Sequence, residues 1–309
     1  MTELASPSVQ LPSDDEGLSD VAFDGVDSIV LPSDDDGQDG PPPDKKRRHR
    51  EFLQGPTRQE LLLKTTMVPR RVPYLWDARV PVHLQGEPAD DIMEIYSPPR
   101  VVPVAQEMSL RGGISADLGA GWDFNKEDHR VDFVIQVKAR RPQVLVLTPA
   151  CTLVSKMMNL NWGKLSPTFR VARFRECILH LEFCCLLMDL QSSEGRKVVF
   201  EHPEAALSWQ SERVQEIMAL PGMKRLHFDM CRLGMKSPIL GVPLQKPTTI
   251  MTNLEELVPK LANLKCKGDH KHKVIRGSEG IFKLSRWAQR YPRGLCEAIA
   301  TAASEHLGR

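Results

Sequence analysis

Four consecutive apolar residues, Val144-Leu145-Val146-Leu147, follow Pro142-Gln143 and end abruptly at Thr148-Pro149. A run this short, with no polar residue on either alternating face, suits a strand buried on both sides in a parallel sheet. Pro149 has no amide to donate to the ladder, so the chain leaves the sheet there. Ligands of open α/β sheets bind just beyond the carboxyl ends of the strands. The turn Thr148-Pro149-Ala150-Cys151-Thr152 therefore carries a thiol to the place where chemistry is expected.

The flanking sequence alternates in the same style. Strands are expected at Ile92–Tyr96, Gly113–Leu118 (ending on Asp117), 143–147, Lys197–Phe200 and Arg225–Phe228. Helices are expected at Val101–Leu110, Asp128–Arg140, Phe169–Leu190 and Trp209–Leu220. In the longest of these, Val171, Phe174, Ile178, Leu181, Cys185 and Met188 recur every three or four residues, the spacing of a buried helical stripe. Cys177, Cys184 and Cys185 on that helix read as small core residues. Strand–helix alternation of this kind specifies an α/β, doubly wound parallel sheet.

Charge is distributed unevenly. Residues 1–44 hold 12 acidic and no basic residues, so of the chain's 41 Lys and Arg and 40 Asp and Glu, the remainder carries 41 against 28, a net of +13. An acidic tail ahead of a basic body points to a body that meets polyanions, with nucleic acid as the expected partner. Residues 1–55 are too poor in large apolar groups to offset the entropy of ordering, and disorder is expected there. Within them, Val9–Gly17 and Ile29–Gly37 repeat an aliphatic-Pro-Ser-acidic pattern, which makes Ser13 and Ser33 candidate sites for an acidophilic kinase. Lys45–Arg50 resembles a nuclear-import signal. Residues 56–87, with a short helix at Glu60–Thr66, read as a loosely packed lead-in, and 88–304 as the main domain. The seven cysteines follow no extracellular spacing, and no signal peptide or long apolar span is present, so an intracellular site without membrane attachment is expected, with the nucleus as the site that the Lys45–Arg50 resemblance implies.

Two strand ends carry polar motifs about fifty residues apart, Pro149-Ala150-Cys151-Thr152 and Glu201-His202-Pro203. Downstream come Phe228-Asp229-Met230-Cys231-Arg232-Leu233-Gly234, Lys246-Pro247-Thr248, Thr252-Asn253, Cys266–His272 and Tyr291-Pro292. In this order the set resembles the DNA cytosine-5 methyltransferases, and specifically the degenerate methyltransferase-like segments of retrotransposon-related polyproteins. The resemblance covers roughly residues 91–300 and implies a Rossmann-like, methyltransferase-like fold. It implies Cys151 as the nucleophile toward C6 of a flipped cytosine and Glu201 as the acid that binds the pyrimidine. It also implies a slot for S-adenosylmethionine built from Glu94, Tyr96, Ser97, Asp117, Thr148 and Pro149. Asp117 would take the ribose, a role for which Asp123 competes. A helix N-terminus beside Cys151 would acidify the thiol.

Several features depart from the family pattern. Glu94-Ile95-Tyr96-Ser97-Pro98-Pro99-Arg100 contains no glycine where the family has a glycine-rich turn. Ala150 separates Pro149 from Cys151. Another register sets Thr148-Pro149-Ala150-Cys151 against the polar-Pro-Pro-aromatic motif of amino-methyltransferases, with Cys151 replacing the aromatic. About 75 residues follow Gly234, too few for a separate target-recognition domain. Two readings follow: a catalytically weak or silent methyltransferase-like module that binds nucleic acid, or an active S-adenosylmethionine-dependent cytosine methyltransferase. Cys266, His270 and His272, with Cys231, have zinc-ligand chemistry. They lie among Lys265, Lys267, Lys271 and Lys273, so the expectation is no metal, and a basic loop that touches phosphate. Basic residues at 164–175 form a second such patch.

Overall fold

The expected strands appear as β1 (Ile92–Ile95), β2 (Gly112–Ala116), β3 (Val144–Leu147), β4 (Lys197–Pro203) and β5 (Lys224–Asp229), and a further strand, β6, spans Pro247–Thr252. The computed structural model describes residues 55–65, 73–86 and 89–309. The acidic tail, Ser13, Ser33 and the Lys45–Arg50 cluster lie outside the described residues. The principal helices are α1 (Arg58–Thr65), α2 (Val101–Glu107), α3 (Glu127–Arg140), α4 (Pro167–Ser193), α5 (Glu212–Met218) and α6 (Arg293–His306).

The strands form one sheet in the order β2-β1-β3-β4-β6-β5. The pairs β1–β2, β1–β3 and β3–β4 are parallel, with Val144 opposite Lys197 and Leu147 opposite Phe200. β6 is antiparallel to both β4 and β5. The sheet is therefore mixed, where the sequence pattern suggested a parallel one. β6 was not anticipated because its sequence, Pro-Thr-Thr-Ile-Met-Thr, opens on a proline and lacks a long aliphatic run. Its threonines are nevertheless buried and bonded. Thr252 Oγ1 donates to Val198 O at 2.6 Å, and Thr249 Oγ1 shares a hydrogen bond with His227 Nδ1 at 2.8 Å.

β1 and β3 are buried along their whole length, as the apolar run requires. Alternation sends Met93, Ile95, Leu145, Leu147, Val198 and Phe200 to one face, which α3, α4 and α5 cover. Ile92, Val144, Val146 and Val199 point the other way, onto α2 and α6. α4 starts where Pro167 fixes the first turn and Ser166 Oγ accepts from Phe169 N. Cys177, Cys184 and Cys185 are buried in its core face. Residues before β1 pack more closely than expected of a lead-in: Leu61, Leu62 and Leu75 belong to the first core, and Arg58 donates to Leu153 O and Ser155 O at 2.8 and 2.6 Å. No helix among the described residues is long and apolar enough to cross a membrane.

The chain passes from β1 through α2 to β2 on one side, and β3 lies on the other side of β1. The winding thus reverses between β1 and β3, the position where open α/β sheets bind ligands. Because β5 runs parallel to β4, the ends of β1, β2, β3, β4 and β5 and the start of β6 share one edge of the sheet.

Candidate functional site

Along that edge lie Asp117 after β2, Tyr96 and Ser97 after β1, Thr148–Cys151 after β3, Glu201 and His202 in β4, Lys246 before β6 and Cys231 after β5. The order of the sheet has gathered residues spread over more than a hundred positions of sequence.

The β1–β3 crevice is closed by the residues expected to line it. Thr148 N donates to Ile95 O at 3.2 Å, and Thr148 Oγ1 donates to Ile95 O at 3.3 Å and Tyr96 O at 3.1 Å. Glu94 is fully buried and spends both oxygens locally. Oε1 accepts from Arg100 N (2.9 Å), Val102 N (3.2 Å) and Ser115 Oγ (2.7 Å), and Oε2 accepts from Val101 N (3.1 Å). The amides that begin α2 thus face a protein carboxylate, which satisfies them and balances the helix dipole. Tyr96 adopts φ +66°, in the left-handed region that normally calls for glycine. Its ring fills the space instead, 5.0 Å from the Phe124 ring centroid, with its hydroxyl 3.0 Å from His180 Nδ1. Burial pushes the Tyr96 phenol well above its ordinary pKa, and burial followed by the Arg130 charge pushes His180 down to about 4. Ser97 Oγ donates to Pro98 O at 2.8 Å.

Asp117 caps the short turn Leu118–Ala120, where its side chain accepts from Gly119 N at 2.8 Å. Asp123 likewise accepts from Asn125 N and Nδ2, both at 3.1 Å, which is ordinary turn chemistry. Pro149 is buried, and its carbonyl accepts from His202 Nε2 at 3.1 Å. With Nε2 as donor, Nδ1 of His202 accepts from the Ser208 hydroxyl. Complete burial holds His202 down to about 4, so the ring is neutral and ties the turn after β3 to β4. Sequence reading passed over this histidine in favour of its neighbour Glu201.

Cys151 is half-buried and packs against the first core, on the α4 side. It is followed by turns and a short 3-10 segment at Lys156–Met158, so the chain does not pass directly from the thiol into an α-helix. Burial pushes the thiol above its ordinary pKa, Lys246 pulls it down and Glu201 pushes it up. The expected acidification is therefore reversed, because desolvation outweighs the one nearby cation. Glu201 is buried, and it shares the face of Val199, toward α6, with Lys246 Nζ 3.5 Å from its Oε1. Glu201 Oε1, which faces Lys246, and the hydroxyl of Tyr291 are both buried, and the two side chains interact with each other. Burial and the Glu201 charge push the Tyr291 phenol well above its usual range. Glu201, Lys246 and Tyr291 thus form a buried polar cluster at this edge.

The basic patches are less uniform than their composition. Arg170 is buried, with Nε donating to Leu165 O at 2.9 Å, and Arg173 pairs with Glu176. In the later loop, Lys265 pairs with Glu204 at 2.6 Å and Lys273 with Glu279 at 2.6 Å, while Lys267, Lys271 and Arg276 are exposed. A shallow groove lined by Arg225, His227, Asn263, Lys265 and Lys267 runs beside this loop. In the same loop Cys266, His270 and His272 meet Cys231, and one ligand atom from each of the four lies within 4.8 Å of the others. Comparison of the chain with protein-family models and with curated proteins gives no match.

Proposed function

We propose that this chain is a nucleic-acid-binding module of mobile-element origin, built on a methyltransferase-like sheet and catalytically silent as a methyltransferase. The observation that carries the silent reading is the Glu94 carboxylate, which already occupies the amides a glycine-rich turn would offer to a cofactor. Tyr96 and Thr148 reinforce it by filling and bridging the crevice where S-adenosylmethionine would lie. A mostly parallel sheet with one antiparallel strand set between β4 and β5 is consistent with a methyltransferase-like framework. Binding of nucleic acid is supported by the net of +13 after residue 44 and by the groove of Arg225, His227, Lys265 and Lys267.

A second reading, an active cytosine methyltransferase, is favoured by one observation: Cys151 and Glu201 lie close enough for the carboxylate to perturb the thiol. Against it, Cys151 packs on the α4 side while Glu201 points toward α6. The thiol is also raised, so little thiolate forms at neutral pH.

Binding is tested by measuring duplex DNA affinity against salt for wild type and for Lys267→Ala/Lys271→Ala. Each phosphate contact contributes about 0.9 to the slope of log K against log salt, so loss of two contacts lowers the slope by roughly 1–2. An unchanged slope would remove this loop from the interface, and no salt-dependent binding at all would sink the proposal.

A further inference from the structure

We infer that Cys231, Cys266, His270 and His272 form a structural zinc site that staples the basic loop to the end of β5. Tetrahedral zinc, with Zn–S of about 2.3 Å and Zn–N of about 2.0–2.1 Å, sets sulfur and nitrogen ligands about 3.5 Å apart. The structure places Cys266 Sγ 3.7 Å from His270 Nε2 and 3.5 Å from His272 Nε2, and Cys231 Sγ 3.4 Å from His272 Nε2. Two sulfurs and two imidazole nitrogens gathered within 4.8 Å of one another select zinc over hard cations such as magnesium or calcium.

The surroundings are those of a ligand shell. His270 turns Nε2 to the cluster and Nδ1 to Asp269 Oδ1 at 3.1 Å, the carboxylate–histidine pairing that orients a metal-bound ring. Asp269 is held in turn by both oxygens on Arg232 Nη1, at 3.0 and 2.7 Å. Gly268, at φ +75°, donates its amide to Cys266 Sγ at 3.5 Å, a contact that stabilises a thiolate. Cys266 N donates to the buried Asp229 at 2.8 Å, which fixes the loop to the last residue of β5. The lysines that argue against a cation in the sequence do not crowd it here. Lys265 and Lys273 are paired with Glu204 and Glu279, and two thiolates neutralise the zinc charge.

The site also accounts for the loop. Residues 264–277 contain no helix or strand, only an isolated bridge from Lys273 to Leu244. A segment this long without regular structure inside a domain needs another source of order. Four protein ligands leave no open position, so the metal's role is structural. It holds Lys267 in place on the wall of the basic groove, with the exposed Lys271 in the same loop.

The test is elemental analysis of the full chain, untagged and purified under reducing conditions without chelator. About one zinc per chain is expected, falling at least about tenfold in Cys231→Ser and in Cys266→Ser and retained in Cys151→Ser. Because a variant may fail to fold, wild-type protein is also stripped of metal and titrated with cobalt(II). Thiolate-to-cobalt charge transfer and tetrahedral d–d absorption should saturate at one equivalent and vanish when zinc is added. Metal-free protein with no cobalt absorption would overturn the assignment. So would a Cys231–Cys266 disulfide in place of metal, or stoichiometric zinc retained by a soluble Cys266→Ser protein.

Discussion

Cys151 feels the opposing charges of Lys246 and Glu201, and its own burial outweighs both. Site-resolved alkylation should therefore show its reactivity rising with pH through a midpoint above the ordinary thiol value of about 8.5. Lys246→Met should move the midpoint up and Glu201→Gln should move it down. A midpoint below the ordinary value would mean that the thiol is activated after all. His202 and His180 make an opposite claim about acid. Each is held down to about 4 in the folded chain against a reference of 6.5. The unfolded chain takes up protons first, so stability is complete above pH 6.5 and is lost as pH falls toward 4. A buried histidine shifted this far contributes on the order of 3 kcal/mol. Thermal melts between pH 7 and 4 should show the fall, with a shallower fall in His202→Asn; a flat profile would show that these rings are not buried neutral.

α2 depends on one side chain from the strand before it. Glu94→Ala would leave the amides of Arg100, Val101 and Val102 and the Ser115 hydroxyl without their acceptor. Each buried orphan costs about 1–3 kcal/mol, so even the low end for four of them lowers the Tm of a domain this size by roughly 10 °C. A drop of only a degree or two in differential scanning calorimetry would contradict the capping role. β3 was legible because burial on both faces leaves it no polar position, and β1 and β4 because their aliphatic residues outweigh the polar ones at Glu94, Glu201 and His202. β6 was not, since buried threonines look polar until their hydroxyls are seen to find Val198 O and His227. α6 was missed for a related reason: half of its buried residues, Ala300, Ala302 and Ala303 beside Leu295, Cys296 and Ile299, are alanines that mark an apolar stripe only weakly. Edge positions were legible as places, because strand ends can be read from proline and carboxylate punctuation. Their roles were not, since nothing in the order Glu-Ile-Tyr-Ser-Pro-Pro tells that the glutamate turns back onto α2. The Cys/His cluster was half legible, because Cys231 stands far upstream and only the fold brings it to the loop.

At the scale of the molecule, the charge asymmetry predicts a competition between tail and nucleic acid for the body. Twelve acidic residues precede position 45, and the body after them carries the excess of cations. Deletion of residues 1–44 is expected to tighten non-specific DNA binding and steepen its salt dependence, and phosphorylation of Ser13 and Ser33 is expected to weaken binding. Equal affinity of the full and shortened chains at low salt would remove the tail from the account. The central claim, a methyltransferase-like sheet that binds nucleic acid without methyl transfer, is tested most directly by trapping. Full-length protein is incubated with S-adenosylmethionine and duplex DNA carrying 5-fluorocytosine, then separated under denaturing conditions alongside Cys151→Ser. The account predicts no covalent adduct in either sample, although the wild type retains the DNA under native conditions. An adduct that withstands denaturation in wild type and disappears in Cys151→Ser would contradict it.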